Sequence, residues 1–290
     1  SWKNREALHK SATKYGLGVG YIGTAHTYQD YIKSINNTAQ PCLSDESIYE
    51  ECLSGVLEKL RSHEERNYPI PLISVSQMDN YKYCTCPRCT RVNQQEYSYA
   101  GTTVRFINRM AAAVAEVYPD TDIWTLSYQW SRKPTQTEVS DDVTIMWAFE
   151  GCYNHPLNAG ECSAKGIGLQ MTGFEPQQNT NYDSYMHGWL EKADNVWCWY
   201  YAQEYLFYLC PMPAWDVHRQ NYRYLAESGI QGIYAEGFYG SDPTEGYGFD
   251  RMNVYLLAKL AWNPYMSESE YNAVTEEYLA AAYGSGWRYL

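Results

Sequence analysis

The sequence predicts an α/β fold of the (β/α)8 barrel type, lacking its first one or two strands. Three observations predict it. Short apolar runs alternate with amphipathic helical segments, the order of a parallel sheet. The runs have few polar positions, as strands covered on both faces should. None leads into a glycine-rich phosphate fingerprint, which argues against a dinucleotide-binding fold. The 290 residues suit one large barrel, and no repeat or Pro/Gly/Ser-rich linker divides them. One barrel domain over residues 1–290 is therefore expected, as part of a longer chain. Ser1 to Arg5 reads as a helix already under way, and Trp287 to Leu290 stops without a tail.

The elements follow in order. Leu17 to Thr24 is a β-type run that ends at Ala25-His26-Thr27. Ser44-Asp45-Glu46 opens a helix with a capping residue and early acids, and Ile48, Cys52, Val56, Leu57 and Leu60 give it an apolar face. Leu72 to Ser76 is the next strand. Thr102 to Val117 is a helix, with Val104, Ile107, Ala111, Val114 and Ala115 at helical spacing and Pro119 beyond it. Strands are expected at Asp122 to Tyr128, Val143 to Phe149, Asn195 to Tyr201 and Ile230 to Ala235. Helices are expected at Asp183 to Ala193, Ala214 to Glu227, Asp250 to Trp262 and Ser267 to Tyr283, the second stopped by Gly229. The connection from 128 to 143 is too short for a good helix, an irregularity in the alternation.

Composition narrows the partners. The formal net charge of -12, with no Lys/Arg block, repels phosphate backbones and excludes nucleic acid. No run of 18 apolar residues exists to span a membrane. The 30 Tyr and 10 Trp against 6 Phe are the outlier. Tyr and Trp add a hydrogen-bonding tip to an apolar plate, which suits a groove that stacks sugar rings and binds their hydroxyls. The same residues also pack under loops and at wet interfaces.

In a parallel barrel the carboxyl ends of the strands share one face, where ligands meet the chain. That face would collect His26, Asp79, Asn80, Tyr128, Glu150, Trp199, Tyr200, Tyr201 and Glu236, with His155 in a nearby loop. Acids, aromatics and amides are what glycoside cleavage needs. One carboxyl protonates the leaving oxygen, and a second attacks the anomeric carbon or activates water. Asp79 and Glu236 both end strands and form the expected catalytic pair, with Glu150 as a further candidate. Burial of one beside aromatics would raise its pKa and make it the acid. Neither a Gly-x-Ser-x-Gly elbow nor a His-Glu-x-x-His run is present.

Cys84, Cys86 and Cys89 crowd into six positions just beyond Asp79. Three ligands do not close a structural zinc site, and Cys42 is the possible fourth. The alternative is a disulfide that pins the loop. Nine cysteines, an odd number, cannot all pair within one chain. No cofactor for catalysis is expected, only structural zinc or a disulfide.

The residues also resemble a known family. Ala25-His26-Thr27, Cys42-Leu43-Ser44, Ser74-Val75-Ser76-Gln77-Met78-Asp79-Asn80 and Tyr83-Cys84-Thr85-Cys86-Pro87-Arg88-Cys89 are similar to bacterial domain of unknown function 4838. So are Leu126-Ser127-Tyr128, Cys152 with His155-Pro156, and Trp197-Cys198-Trp199-Tyr200-Tyr201. Pro211-Met212-Pro213, Tyr234-Ala235-Glu236-Gly237 and Leu257-Ala258-Lys259-Leu260-Ala261-Trp262-Asn263-Pro264 complete the set. The resemblance implies a glycosidase-like barrel, similar to the α-glucuronidase and β-hexosaminidase superfamily. It implies action on carbohydrate in a secreted, periplasmic or cell-surface protein of a glycan-degrading bacterium. The chain departs from the hexosaminidase pattern of adjacent Asp and Glu, because here the pair is Asp79-Asn80.

The function expected is a glycoside hydrolase that cleaves a complex glycan with two carboxylates. The alternatives are a non-catalytic carbohydrate-binding barrel and a surface adhesion module.

Overall fold

The computed structural model describes residues 25–35, 39–67, 69–151, 153, 155–159, 179–201, 214–236 and 250–289. They form an α/β protein. Its strands are β1 (Leu72–Ser74), β2 (Asp122–Ser127), β3 (Val143–Phe149), β4 (Asn195–Tyr201) and β5 (Gly232–Glu236). They follow chain order in one five-stranded parallel sheet. The described helices are α1 (Tyr28–Tyr31), α2 (Glu46–Glu64), α3 (Pro87–Gln95), α4 (Gly101–Ala115), α5 (Asn179–Leu190), α6 (Trp215–Ser228), α7 (Asp250–Trp262) and α8 (Glu268–Tyr283). Five strands fall short of the eight that a closed ring needs. The described residues thus show the parallel sheet and not closure of a barrel. The strand expected at Leu17 to Thr24 lies outside the described residues.

The chain divides into two compact units, Ser1–Ser131 with Thr135–Thr144, and Arg132–Pro134 with Ile145–Leu290. In the first, β1 and β2 pair with Ile73 opposite Ile123 and Ser74 opposite Trp124. All their residues but Asp122 are buried, as expected of strands covered on both sides. Helix α4 packs on β2 and on α2, burying Val104, Ile107, Met110 and Val114. Helix α2 buries Cys52, Val56 and Leu60 at the spacing read from the sequence. Gly55 lets α1 approach closely, because a Cβ there would sit 2.8 Å from the Tyr31 backbone.

Helix α3 corrects the sequence reading, which treated the cysteine segment as loop alone. Pro87 occupies the first turn, where a missing N–H costs nothing, and the Cys86 sulfur caps the helix by accepting from the Cys89 N–H. Beyond its end, Glu96 is 1% exposed. Its carboxylate accepts from Arg105 Nε at 2.7 Å, the Thr137 hydroxyl at 2.6 Å and the N–H groups of Gln136 and Thr137 at 3.0 and 2.8 Å. Gly101 makes room for it, since a Cβ there would lie 2.5 Å from Glu96 Cγ. Burial acts to raise the Glu96 pKa. The Thr137 donors and the Arg105 guanidinium outweigh it and hold the carboxyl below its ordinary range.

The second unit shows where many tyrosines go. Phe149, Tyr153, Tyr200 and Tyr222 pack in sequence with ring centroids 4.8, 4.9 and 5.3 Å apart. Each is 1% exposed or less. Buried hydroxyls need partners. Tyr153 donates to the Phe149 carbonyl at 2.7 Å and accepts from the Tyr201 N–H at 2.8 Å. Asn221 Nδ2 donates to the Tyr200 hydroxyl at 3.1 Å, and that hydroxyl is hydrogen-bonded to His218 Nδ1 at 2.9 Å. Where β4 meets β5, Gly232 lies opposite Trp197, and a Cβ on it would strike the indole at 2.5 Å.

Two stability predictions arise from these buried groups. Glu96→Ala strands the Gln136 and Thr137 N–H groups and should cost about 3 kcal/mol, read as a lowered urea midpoint. The Glu96 contribution is full above the unfolded-state value and fades as pH falls below about 4.3. Burial pushes the His218 pKa down to about 3. The unfolded state then binds the proton first, so stability should fall as pH drops below about 6.5, by a few kcal/mol on reaching pH 3. A His218→Gln variant, which has no imidazole to titrate, should show a flatter slope in urea unfolding between pH 7 and 5.

Candidate functional site

The strand end in the first unit is built from buried backbone outward. After β1 the chain stays buried through Val75, Ser76, Gln77 and Met78, and Asp79 is the first exposed residue. Residues 26–28 run beside it. The N–H groups of Thr27 and Tyr28 donate to the Ser76 carbonyl, and the Ser76 N–H donates to Thr27 Oγ1 at 3.0 Å. His26 takes a left-handed conformation (φ 64°), and its N–H donates to Ser76 Oγ. Its ring Nδ1 lies 2.7 Å from the Gln77 carbonyl, which only accepts, so Nδ1 carries a proton.

Asp79 Oδ1 accepts from the Tyr128 hydroxyl at 3.1 Å and from Gln129 Nε2 at 2.9 Å. Both donors are nearly buried and sit just past the end of β2. Gln129 also has a left-handed backbone (φ 50°). Non-glycine residues in that region cost energy and gather where a site over-determines the backbone. Tyr128 lies with its ring centroid 6.1 Å from that of His26. Gln77 laces the two strand ends together: its Nε2 donates to the Tyr128 carbonyl at 3.1 Å, and its Oε1 accepts from the Ser131 hydroxyl. The Asn80 carbonyl accepts from Trp130 Nε1 at 3.2 Å, and Asn80 Oδ1 caps the turn by accepting from the Lys82 N–H. The result is an exposed carboxyl on a fixed backbone, flanked by a phenol, an amide and an imidazole. Such a set can accept sugar hydroxyls or serve as one half of a two-carboxylate mechanism.

Beyond it, the sulfurs of Cys42, Cys84, Cys86 and Cys89 lie within 4.8 Å of one another. Cys42 Sγ is 3.7 Å from Cys86 Sγ and 3.7 Å from Cys89 Sγ. A disulfide needs about 2.05 Å, so these thiols are unbridged. A tetrahedron of sulfurs about 2.3 Å from zinc has edges of about 3.8 Å, close to the two 3.7 Å separations from Cys42. The backbone N–H of Cys89 pulls the Cys86 thiol down to about 6, while burial and the Cys84 sulfur push Cys42 up. The cluster can therefore hold a metal ion once its protons are displaced.

The second unit holds the remaining expected residues. Trp199 and Tyr234 stand opposite in the β4–β5 register, with ring centroids 4.3 Å apart. Glu236, two positions along on the same face, accepts from Trp199 Nε1 at 2.7 Å through Oε2. Glu150 faces Arg132 at 3.5 Å, with both side chains largely buried. Arg132 is itself placed by Tyr182, whose hydroxyl lies 3.2 Å away. Tyr200 is wholly buried, its hydroxyl shared by His218 and Asn221, and Tyr201 is 5% exposed. His155 is exposed.

The sequence reading did not name Gln77, Gln129, Trp130 or Gln40 as site residues. Gln77 left a signal, being an amide between Ser76 and Met78 just past the end of β1. Gln129, Trp130 and Gln40 left none, because their partners are set by the fold. Gln40 Nε2 donates to the carbonyls of Met78 at 2.7 Å and Asn80 at 3.0 Å.

Comparison with known proteins adds one result. No curated protein matches the chain. A family model described as domain of unknown function (DUF4838) matches residues 27–288, which takes in β1 to β5, all four clustered cysteines, Asp79 and Glu236. With that match over most of its length, the chain belongs to the DUF4838 family.

Proposed function

We propose that this protein acts on carbohydrate as a glycoside hydrolase, with Asp79 supplying one carboxyl group and Glu236 the second. The observation that carries the reading is Asp79: an exposed carboxyl at the end of a buried strand, held through Oδ1 by Tyr128 and Gln129. The proposal includes the similarity to the α-glucuronidase and β-hexosaminidase superfamily, an eight-stranded barrel, and a secreted, periplasmic or cell-surface location. His26, Asn80 and Tyr128 would bind hydroxyls of the sugar beside Asp79. Trp199 and Tyr201 would serve Glu236, with His155 at the rim. Glu150 already faces Arg132, which suits a supporting role better than proton transfer.

A non-catalytic sugar-binding protein is the second reading. It is favoured by the engagement of Glu236 with Trp199 and of Glu150 with Arg132. An acidic surface with a net charge of -12 suits neutral glycans in either case and disfavours nucleic acid. Among the described residues no helix is long and apolar enough to cross a membrane.

The proposal also places one structural zinc ion in the cluster of Cys42, Cys84, Cys86 and Cys89, outside the sugar chemistry. Closed four-thiolate sites of this kind stabilise folds.

A panel of plant, microbial and animal glycans, followed by mass spectrometry of products, separates the two functional readings. The hydrolase reading expects shortened products, and both Asp79→Asn and Glu236→Gln should lose at least about 100-fold in turnover. Full turnover in either variant removes that residue from the mechanism. Binding without products establishes the second reading. For the zinc, elemental analysis of the purified chain should find one ion per molecule, lost in a Cys86→Ser/Cys89→Ser variant. Four cysteines found as disulfides would refute it.

A further inference from the structure

The cysteine cluster and the Asp79 loop are joined twice. Along the chain, Cys84 follows Asn80 by four residues. Through space, Gln40 connects them a second time. Its Nε2 donates to the carbonyls of Met78 and Asn80, and its Oε1 accepts from the Met78 N–H at 3.1 Å. One amide side chain thus holds the backbone on both sides of Asp79. Cys42 stands two residues further along the segment that carries Gln40.

That segment needs an anchor. Residues 39–42 belong to no helix or strand. Two extended residues reach at most about 7 Å, so fixing the Cys42 sulfur also confines Gln40. Sulfurs in contact as free thiols attract one another weakly, and thiolates repel. A cation that binds all four replaces both with bonds. The connections then form a closed circuit: Met78 to Asn80, along the chain to Cys84–Cys89, across the ion to Cys42, back to Gln40, and by its hydrogen bonds to Met78 and Asn80. Tyr128 and Gln129 hold the Asp79 side chain, but the circuit holds its backbone.

We propose that the zinc ion is a clasp for the Asp79 loop and that Gln40 transmits its hold, which makes Gln40 a positioning residue. Metal occupancy then sets how firmly the carboxyl is presented. The inference rests on the zinc reading above and is tested separately from it.

The test follows hydrogen exchange at single amides of the full chain by NMR, with zinc bound and after chelation. The Met78 amide reports directly, because its N–H is bonded to Gln40. Losing that hold should speed its exchange about tenfold, equivalent to about 1.4 kcal/mol. Chelation should produce that rise. Gln40→Ala should produce it too while zinc stays at one ion per chain, with the Cys89 amide as slow as in the parent. A chain that binds no zinc refutes the zinc reading, and the clasp with it. A chain whose one zinc can be removed with no change at Met78 refutes the clasp alone. Unchanged Met78 exchange in Gln40→Ala with zinc bound refutes the role of Gln40.

Discussion

The exit of the chain from the core at Asp79 is the constraint on which the candidate site depends. From Leu72 to Met78 every residue is buried, and the segment then reaches solvent within one step. A backbone leaving a sheet loses its ladder partners, and its polar groups need others. Here side chains supply them. Gln40 serves Met78 and Asn80, Trp130 serves Asn80, and the proton on His26 Nδ1 serves the Gln77 carbonyl. The same bonds that satisfy buried groups also fix the direction in which Asp79 points.

Tyrosine is used in two ways. In the second unit Tyr153, Tyr200 and Tyr222 build core, and the hydroxyls of Tyr153 and Tyr200 are matched with internal partners. Tyr128 places its ring in the first unit and its hydroxyl on Asp79. The excess of tyrosine over phenylalanine therefore reflects a core that accepts polar tips as well as a surface that offers them. Composition could not say which, because both uses draw on the same amphipathic ring.

Much of the fold was legible. The bounds of β3 and β4 were read to the residue from apolar runs framed by polar ones; β3 is buried throughout, as a strand covered on both sides should be, whereas β4 is fully buried mainly at alternate positions. Helix α3 has almost no apolar periodicity, burying only Cys89 and Asn93, so Pro87 at its start is its one sequence signal. The thiol cluster was legible from spacing for Cys84, Cys86 and Cys89, and Cys42 was offered as the fourth ligand. Their sulfurs do gather, close enough together to share one metal ion. Trp199 and Glu236 were each named, but their hydrogen bond was not. It follows from a register in which Trp199 faces Tyr234 and Glu236 lies two residues on. Gln40 was out of reach of sequence reasoning. Thirty-eight positions separate it from Met78, and an isolated glutamine in a loop carries no pattern.

The most direct test of the account is a crystal structure of the full chain with an oligosaccharide that it binds. The account predicts a sugar oxygen within hydrogen-bonding distance of the Asp79 carboxylate, with the Tyr128 and Gln129 contacts intact. A sugar seated away from Asp79, with that carboxylate turned to bulk water, would contradict it.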